Sequence, residues 1–179
     1  MNRFLMVLLA VSALSAEARD CFQVESGKVD FTILQMGAPF SGEFTEFGGE
    51  LCMEGDTVET VSVWLRPASI DTGLPDLDAA LQGAELFHSE EFDRAAYRST
   101  KVLRRDGRYV SHGKLTMKGI DEPLSVTFDL AREGALARVS GESELNRLEF
   151  AVGSGEWADT DLLSDQVRVE FSVVLGGVR

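Results

Sequence analysis

The chain has 179 residues, and 17 Lys+Arg against 30 Asp+Glu give it a formal net charge of −13. With 44% hydrophobic and 26% charged residues it can bury one full core, which excludes intrinsic disorder and collagen-like or low-complexity architectures. The acidic balance removes the general attraction to phosphate backbones and opposes docking on anionic lipid surfaces, so no nucleic-acid partner is expected.

Residues 1–18 read as a secretory signal peptide. Arg3 is the positive start, residues 4–14 are largely apolar, and Ala16-Glu17-Ala18 is a small-residue cleavage site, with cleavage after Ala18 preferred and after Ala16 the alternative. The apolar run is roughly half of the ~20 residues that span a bilayer. Loss of this segment removes Arg3 and Glu17 together, so the mature charge is unchanged. Cys21 and Cys52, the two cysteines, both fall in the exported part, where thiols are oxidised. If residues 22–34 and 40–53 form a hairpin turning near Met36-Gly37, the two cysteines lie almost opposite each other, and a disulfide fastens the open end. No CxxC is present, which makes the bond a staple and not a redox centre.

From residue 22 onward the dominant period is two, broken by turn residues at all-β spacing. Val29, Phe31 and Ile33 alternate with polar residues, as do Val61, Val63 and Leu65, and Pro67 ends that run. Arg105-Asp106-Gly107-Arg108 is a hairpin turn signal. Leu124, Val126, Phe128 and Leu130 form a further face, and Val167, Val169, Phe171, Val173 and Leu175 form the clearest one. Eight antiparallel strands are expected, near residues 22–34, 40–53, 58–67, 99–105, 108–117, 124–131, 136–145 and 166–175. One helical insertion, residues 77–87, falls between the third and fourth, with Leu77, Ala80, Leu81 and Ala84 on one face, Asp76 or Asp78 as cap, and Gly83 weakening it. Repeats and linkers are lacking, so one β-barrel or β-sandwich holds everything, and the pattern does not separate the two.

Four stretches together resemble the YceI family, exported lipocalin-like proteins associated with polyisoprenoid or isoprenoid-quinone binding. They are Met36-Gly37-Ala38-Pro39-Phe40-Ser41-Gly42-Glu43-Phe44; Ala68-Ser69-Ile70-Asp71-Thr72-Gly73 with Asp78 and Glu85-Leu86-Phe87; Gly113-Lys114-Leu115-Thr116-Met117-Lys118-Gly119; and Asn146-Arg147-Leu148-Glu149-Phe150-Ala151-Val152-Gly153 with Gly155-Glu156-Trp157-Ala158-Asp159. Each motif alone is weak, and four in order are strong. His88, Asp93, Glu149 and Ala151 depart from the family pattern, in a turn and in a loop. The resemblance implies an eight-stranded lipocalin-like β-barrel over residues 19–179, located in the periplasm and binding an isoprenoid lipid or quinone without other cofactors.

Strand parity and size pick the expected lining of such a barrel: Phe31, Ile33, Phe40, Phe44, Val63, Leu65, Phe87, Met117, Val126, Phe128, Phe150, Phe171 and Val173. The same residues would also fill a solid core. Arg147 and Arg66 are candidate cations for a ligand head group, with Trp64 and Trp157 as amphipathic mouth residues. A pyrophosphate head would meet an acidic protein, which favours a neutral head such as a quinone ring.

Enzyme and metal signatures are sparse. His88 and His112 stand in no metal-ligand spacing, and Asp71, Asp76 and Asp78 lack the spacing of a calcium loop. Catalytic elbows and phosphate-cradling glycine motifs do not occur. Two other readings stand beside the carrier: an accessory protein with a filled barrel, with a membrane-bound b-type cytochrome as a candidate partner, or an enzyme recruiting Asp71, His88 or Arg147. An exposed strand edge would offer a homodimer contact.

Overall fold

The computed structural model describes residues 19–177, so the expected signal peptide lies outside the described residues. Ten strands are present: β1 (Asp20–Gln35), β2 (Ala38–Phe44), β3 (Phe47–Glu54), β4 (Thr57–Leu65), β5 (Ile70–Asp71), β6 (Ala95–Arg105), β7 (Arg108–Met117), β8 (Ile120–Glu133), β9 (Leu136–Asn146) and β10 (Leu163–Gly177). Their order is an up-and-down meander, and β1 pairs with β10 to close it. Because β2 and β3 both pair with β1, they act as one bent stave, while β5 only adds two pairs to β2. The result is a closed eight-stranded antiparallel barrel, which removes the exposed edges that the alternating strands would otherwise present. Closure decides between barrel and sandwich.

Several boundaries differ from the sequence expectation, each for a local reason. The single strand expected over 40–53 is broken at Thr45–Glu46, because the Thr45 amide bonds the Ser69 carbonyl and the Glu46 amide bonds the Ser69 hydroxyl. β8 starts at Ile120, ahead of Pro123, which sits where β8 pairs only with β7. β6 starts at Ala95, so that Tyr97 is inside it. The expected 77–87 helix is one of Pro75–Leu81 (α1), with Pro75 at its first turn and no side-chain cap. Neither Asp76 nor Asp78 caps it. Both lie in the first turn, where the helix dipole favours acids, and Asp78 Oδ1 accepts from the Thr72 amide and hydroxyl at 2.9 and 2.6 Å. The turn at Asp106-Gly107 has both residues at positive φ, 51° and 87°, the geometry that suits a two-residue hairpin.

Cys21 and Cys52 face each other in the β1–β3 register and are joined by a disulfide, their Cα atoms 4.1 Å apart. They mark one end of the barrel. Just inside that end, Phe22, Met53, Val58, Tyr109, Phe128 and Leu175 pack into a solid plug. The other end carries α1 and two short 3-10 turns, Arg147–Phe150 and Gly155–Ala158. There, Phe150 is 1% exposed among Leu86, Leu115, Met117 and Val152.

Candidate functional site: a lined hollow with a split wall

Between the plug and the helical end lies a cavity of ≈ 280 Å³, near the lower end of small-molecule sites, about 300–1,000 Å³. Its cause is visible in the inward-facing sequence positions. Where a large residue would cross the lumen, the wall carries glycine or serine, and a neighbouring ring lies flat against the gap. A Cβ at Gly42 would stand 2.7 Å from the Phe31 ring, one at Gly113 would stand 2.6 Å from Tyr97 Oη, and one at Gly141 would stand 2.7 Å from the tip of Phe171. The rings therefore line the barrel instead of filling it. Val63, directed inward opposite Gly49 and Tyr97, remains 39% exposed.

Phe31, Ile33, Phe40, Phe44, Val63, Leu65, Phe87, Met117, Val126, Phe128, Phe171 and Val173 border this cavity. Phe150 does not. It lies beyond the end of β9 in a 3-10 turn, where strand parity does not apply, and it packs beneath the helical end. Trp64, Trp157 and Arg147 border the cavity. Arg66 does not: it lies on the surface, with Nη1 3.1 Å from Glu46 Oε2. The bordering residues missed from sequence include Tyr97, Ser111 and Ser143. Ser111 shares its alternation with Tyr109, Leu115 and Met117 and was readable on that ground, whereas Tyr97 fell outside the expected strand.

Arg147 is 2% exposed and is held by backbone carbonyls alone. Its Nε donates to Ser164 O at 2.9 Å, Nη1 to Val152 O at 2.8 Å and Nη2 to Leu163 O at 2.6 Å. Gly153, at φ 109°, is needed beside it, since a Cβ there would lie 1.9 Å from Nη1. Burial lowers the guanidinium's proton affinity below its ordinary value, and Asp165 counteracts this in part. The side chain thus ties the 147–163 segment to the start of β10. Tyr97 Oη lies 2.7 Å from Ser111 Oγ, and burial raises the phenol above its ordinary value while the Ser111 hydrogen bond lowers it.

The remaining candidates lie away from the hollow. His88 sits in a surface turn with Nδ1 3.2 Å from Glu91 Oε2, and His112 bonds Ser125 Oγ at 2.8 Å. Asp71 accepts the Gly73 amide. The cluster of Cys21, Glu50 and Cys52 has both its sulfurs in the disulfide and so offers no thiolate.

The wall is split beside β1. That strand pairs with β3 at Asp20–Gln23 and with β2 at Asp30–Gln35 in one continuous register, Gln23 opposite Glu50 and Asp30 opposite Glu43. Residues 24–29 and 44–49, which this register would oppose, form no pairs with each other. Val24, Val29, Phe44 and Phe47 border the cavity from the two rims. Gly48, Glu50 and Trp64, which alternate with the inward Leu51, Val61 and Leu65, border it too, so the hollow reaches the outer surface here. Arg94 covers the Trp64 ring at 4.2 Å. Among the described residues no helix is long and apolar enough to cross a membrane.

A sequence profile of the YceI-like domain matches residues 22–175. A UPF0312 protein of Serratia proteamaculans is 29% identical over 97% of this chain and 92% of its own. Another, of Photorhabdus laumondii, is 28% identical over 88% of each. The solved structure of BcnA from Burkholderia cenocepacia superposes with a TM-score of 0.78 at 28% identity, covering 83% of this chain and 95% of that one. A polyisoprenoid-binding domain from Saccharophagus degradans, implicated in plant cell wall breakdown, shares the fold with a TM-score of 0.71 at 12% identity, over 90% of this chain and 99% of its own. With the profile spanning the whole barrel, from β1 to β10, the chain belongs to the YceI family.

Proposed function

We propose that the protein binds an isoprenoid lipid non-covalently in the hollow and carries it through the periplasm, catalysing nothing. The observation that carries this reading is the unfilled apolar interior, continuous with the surface at the split beside β1. Each CH₂ moved from water into such a lining contributes about 0.8 kcal/mol, and a prenyl tail supplies many. The twelve bordering residues expected from sequence would contact the tail, and the split would be its way in. The polyisoprenoid-binding domain that shares this fold supports the ligand class.

The net charge of −13 favours a neutral head group, and Arg147 already holds three backbone carbonyls, which leaves it a poor counter-ion for a diphosphate. Arg66 pairs with Glu46 outside the cavity and is dropped from the head-group set. A binding role is supported over an enzymatic one by His88 and Asp71, whose side chains are engaged at surface turns. Export of the chain, with residues 1–18 as leader, is supported by the disulfide. The b-type cytochrome and the second copy raised from sequence find no support in the fold or in the relatives. The test is organic extraction of the protein purified from its native compartment, followed by mass spectrometry. A stoichiometric isoprenoid is expected, and a protein consistently free of lipid, or holding only straight-chain fatty acids, overturns the reading.

A further inference from the structure

We propose that the hydroxyl pair of Tyr97 and Ser111 recognises the ligand by donating a hydrogen bond to a neutral acceptor, a quinone or other carbonyl oxygen, inside the barrel. This deepens the lipid-binding reading and rests on it. The two residues stand on neighbouring strands, β6 and β7, and both border the cavity. Tyr97 is 4% exposed and Ser111 is fully buried. Each hydroxyl carries one proton and can also accept. The single bond between Tyr97 Oη and Ser111 Oγ uses one of the two protons, whichever group donates, and leaves the other without an acceptor. No other polar group of the described residues is hydrogen-bonded to either oxygen.

A spare donor in an apolar wall is costly to leave unmade. The neighbouring lumen hydroxyl shows the alternative, since Ser143 spends its proton on the Ser125 carbonyl at 3.0 Å. The pair is also held in place. The Tyr97 ring lies over Gly113, where a Cβ would stand 2.4 Å from the Arg98 carbonyl and 2.6 Å from Oη, and its strand neighbours Val63 and Leu115 are apolar cavity residues. A fixed donor among apolar side chains selects a ligand with one oxygen acceptor at the right depth. It gives nothing to a pure hydrocarbon, and it lacks the charge an anionic diphosphate would require.

The test compares the wild-type protein with Tyr97→Phe/Ser111→Ala, using two probes: a short-tailed ubiquinone, and squalene, an isoprenoid without oxygen. Removing both partners together leaves no orphaned hydroxyl, so the double variant is expected to keep its fold, and its thermal unfolding midpoint checks this. Binding is read from the fluorescence of Trp64 and Trp157, which border the cavity. The double variant is expected to lose about five- to tenfold in affinity for the quinone and less than about twofold for squalene, the size of one neutral hydrogen bond. The infrared carbonyl stretch of the bound quinone is expected to lie lower in the wild type than in the variant. Unchanged quinone affinity, or equal loss for both probes, overturns this inference while the carrier reading stands. A wild-type protein that binds neither probe overturns both.

Discussion

β1 has two flanks, and they are built differently. Against β10 it is paired from Phe22 to Gln35, with bulges near Glu25 and Leu34. Against β2 and β3 the same strand is paired only at its two ends. The closed flank is tight: at Gly27, φ 149°, a Cβ would lie 2.4 Å from the Ser172 carbonyl. A strand that pairs so closely on one side has no intrinsic defect, so the opening is made by the partner. Thr45 and Glu46 give their amides to Ser69, and the Glu46 carbonyl accepts from the Arg66 amide. Backbone groups must bond somewhere, and a corner that is satisfied by the turn after β4 has less to gain from β1. The lesson is that a gap in the wall of a closed barrel can be set by hydrogen bonds made outside the sheet.

The largest effect that should break this comparison is loss of the disulfide. Cys21–Cys52 clamps β1 to β3 at one end of the split and closes a loop with a sequence separation of 31. The loop-entropy account puts its contribution at about 3 to 4 kcal/mol. Cys21→Ala/Cys52→Ala should therefore unfold at a markedly lower urea concentration. Native-state hydrogen exchange should show the β1–β3 pairs opening before the β1–β10 pairs. Equal loss of protection on both flanks would mean that the barrel unfolds as one unit and that the split is not a weak seam.

A smaller effect should sharpen the comparison. In Ser69→Ala the Glu46 amide loses its acceptor and the Arg66 carbonyl loses a donor, while the bond from the Thr45 amide to the Ser69 carbonyl remains. The expected cost is about 1 to 2 kcal/mol, with faster amide exchange at Glu46 and none of the change at Val29 or Phe31, which stay paired to β10. If lipid enters through the split, the rate of quinone uptake should shift in this variant more than the affinity. Unaltered exchange at Glu46 would show that Ser69 does not hold the corner.

These two seams were unequally legible in the sequence. The closed flank is the meeting of two strong alternations, Val29-Phe31-Ile33 with Val167-Val169-Phe171, and period two made both strands readable, though not their pairing, because the pattern alone fits a barrel and a sandwich equally. The open flank was not, because Phe44-Thr45-Glu46-Phe47 looks like continuing strand and the break comes from Ser69, 23 residues from Glu46. The lining was readable wherever parity holds. It failed at Phe150, which lies past the end of β9 in a 3-10 turn where parity does not apply, and it missed Tyr97, whose neighbours Ala95 and Ala96 are weak strand formers. The disulfide was readable because both cysteines sit in one hairpin register. Arg147 was singled out for its charge, whereas its three carbonyl contacts depend on where the 147–163 segment folds back.

The smallest expected effect separates main chain from side chain at the same corner. Arg66 has two contacts with Glu46, its amide to the Glu46 carbonyl at 2.9 Å and Nη1 to Oε2 at 3.1 Å. The second is an ion pair between side chains that are 47% and 58% exposed, and such pairs contribute roughly 0 to 1 kcal/mol, less in salt. Arg66→Ala keeps the amide contact. It should therefore change the urea midpoint barely at all in high salt, and leave both Glu46 exchange and quinone affinity as in the wild type. A loss as large as that of Ser69→Ala would place the ion pair among the groups that hold the wall apart. The arrangement of bonds around Ser69 predicts the opposite: the split is built by backbone amides, and the charges at its rim are bystanders.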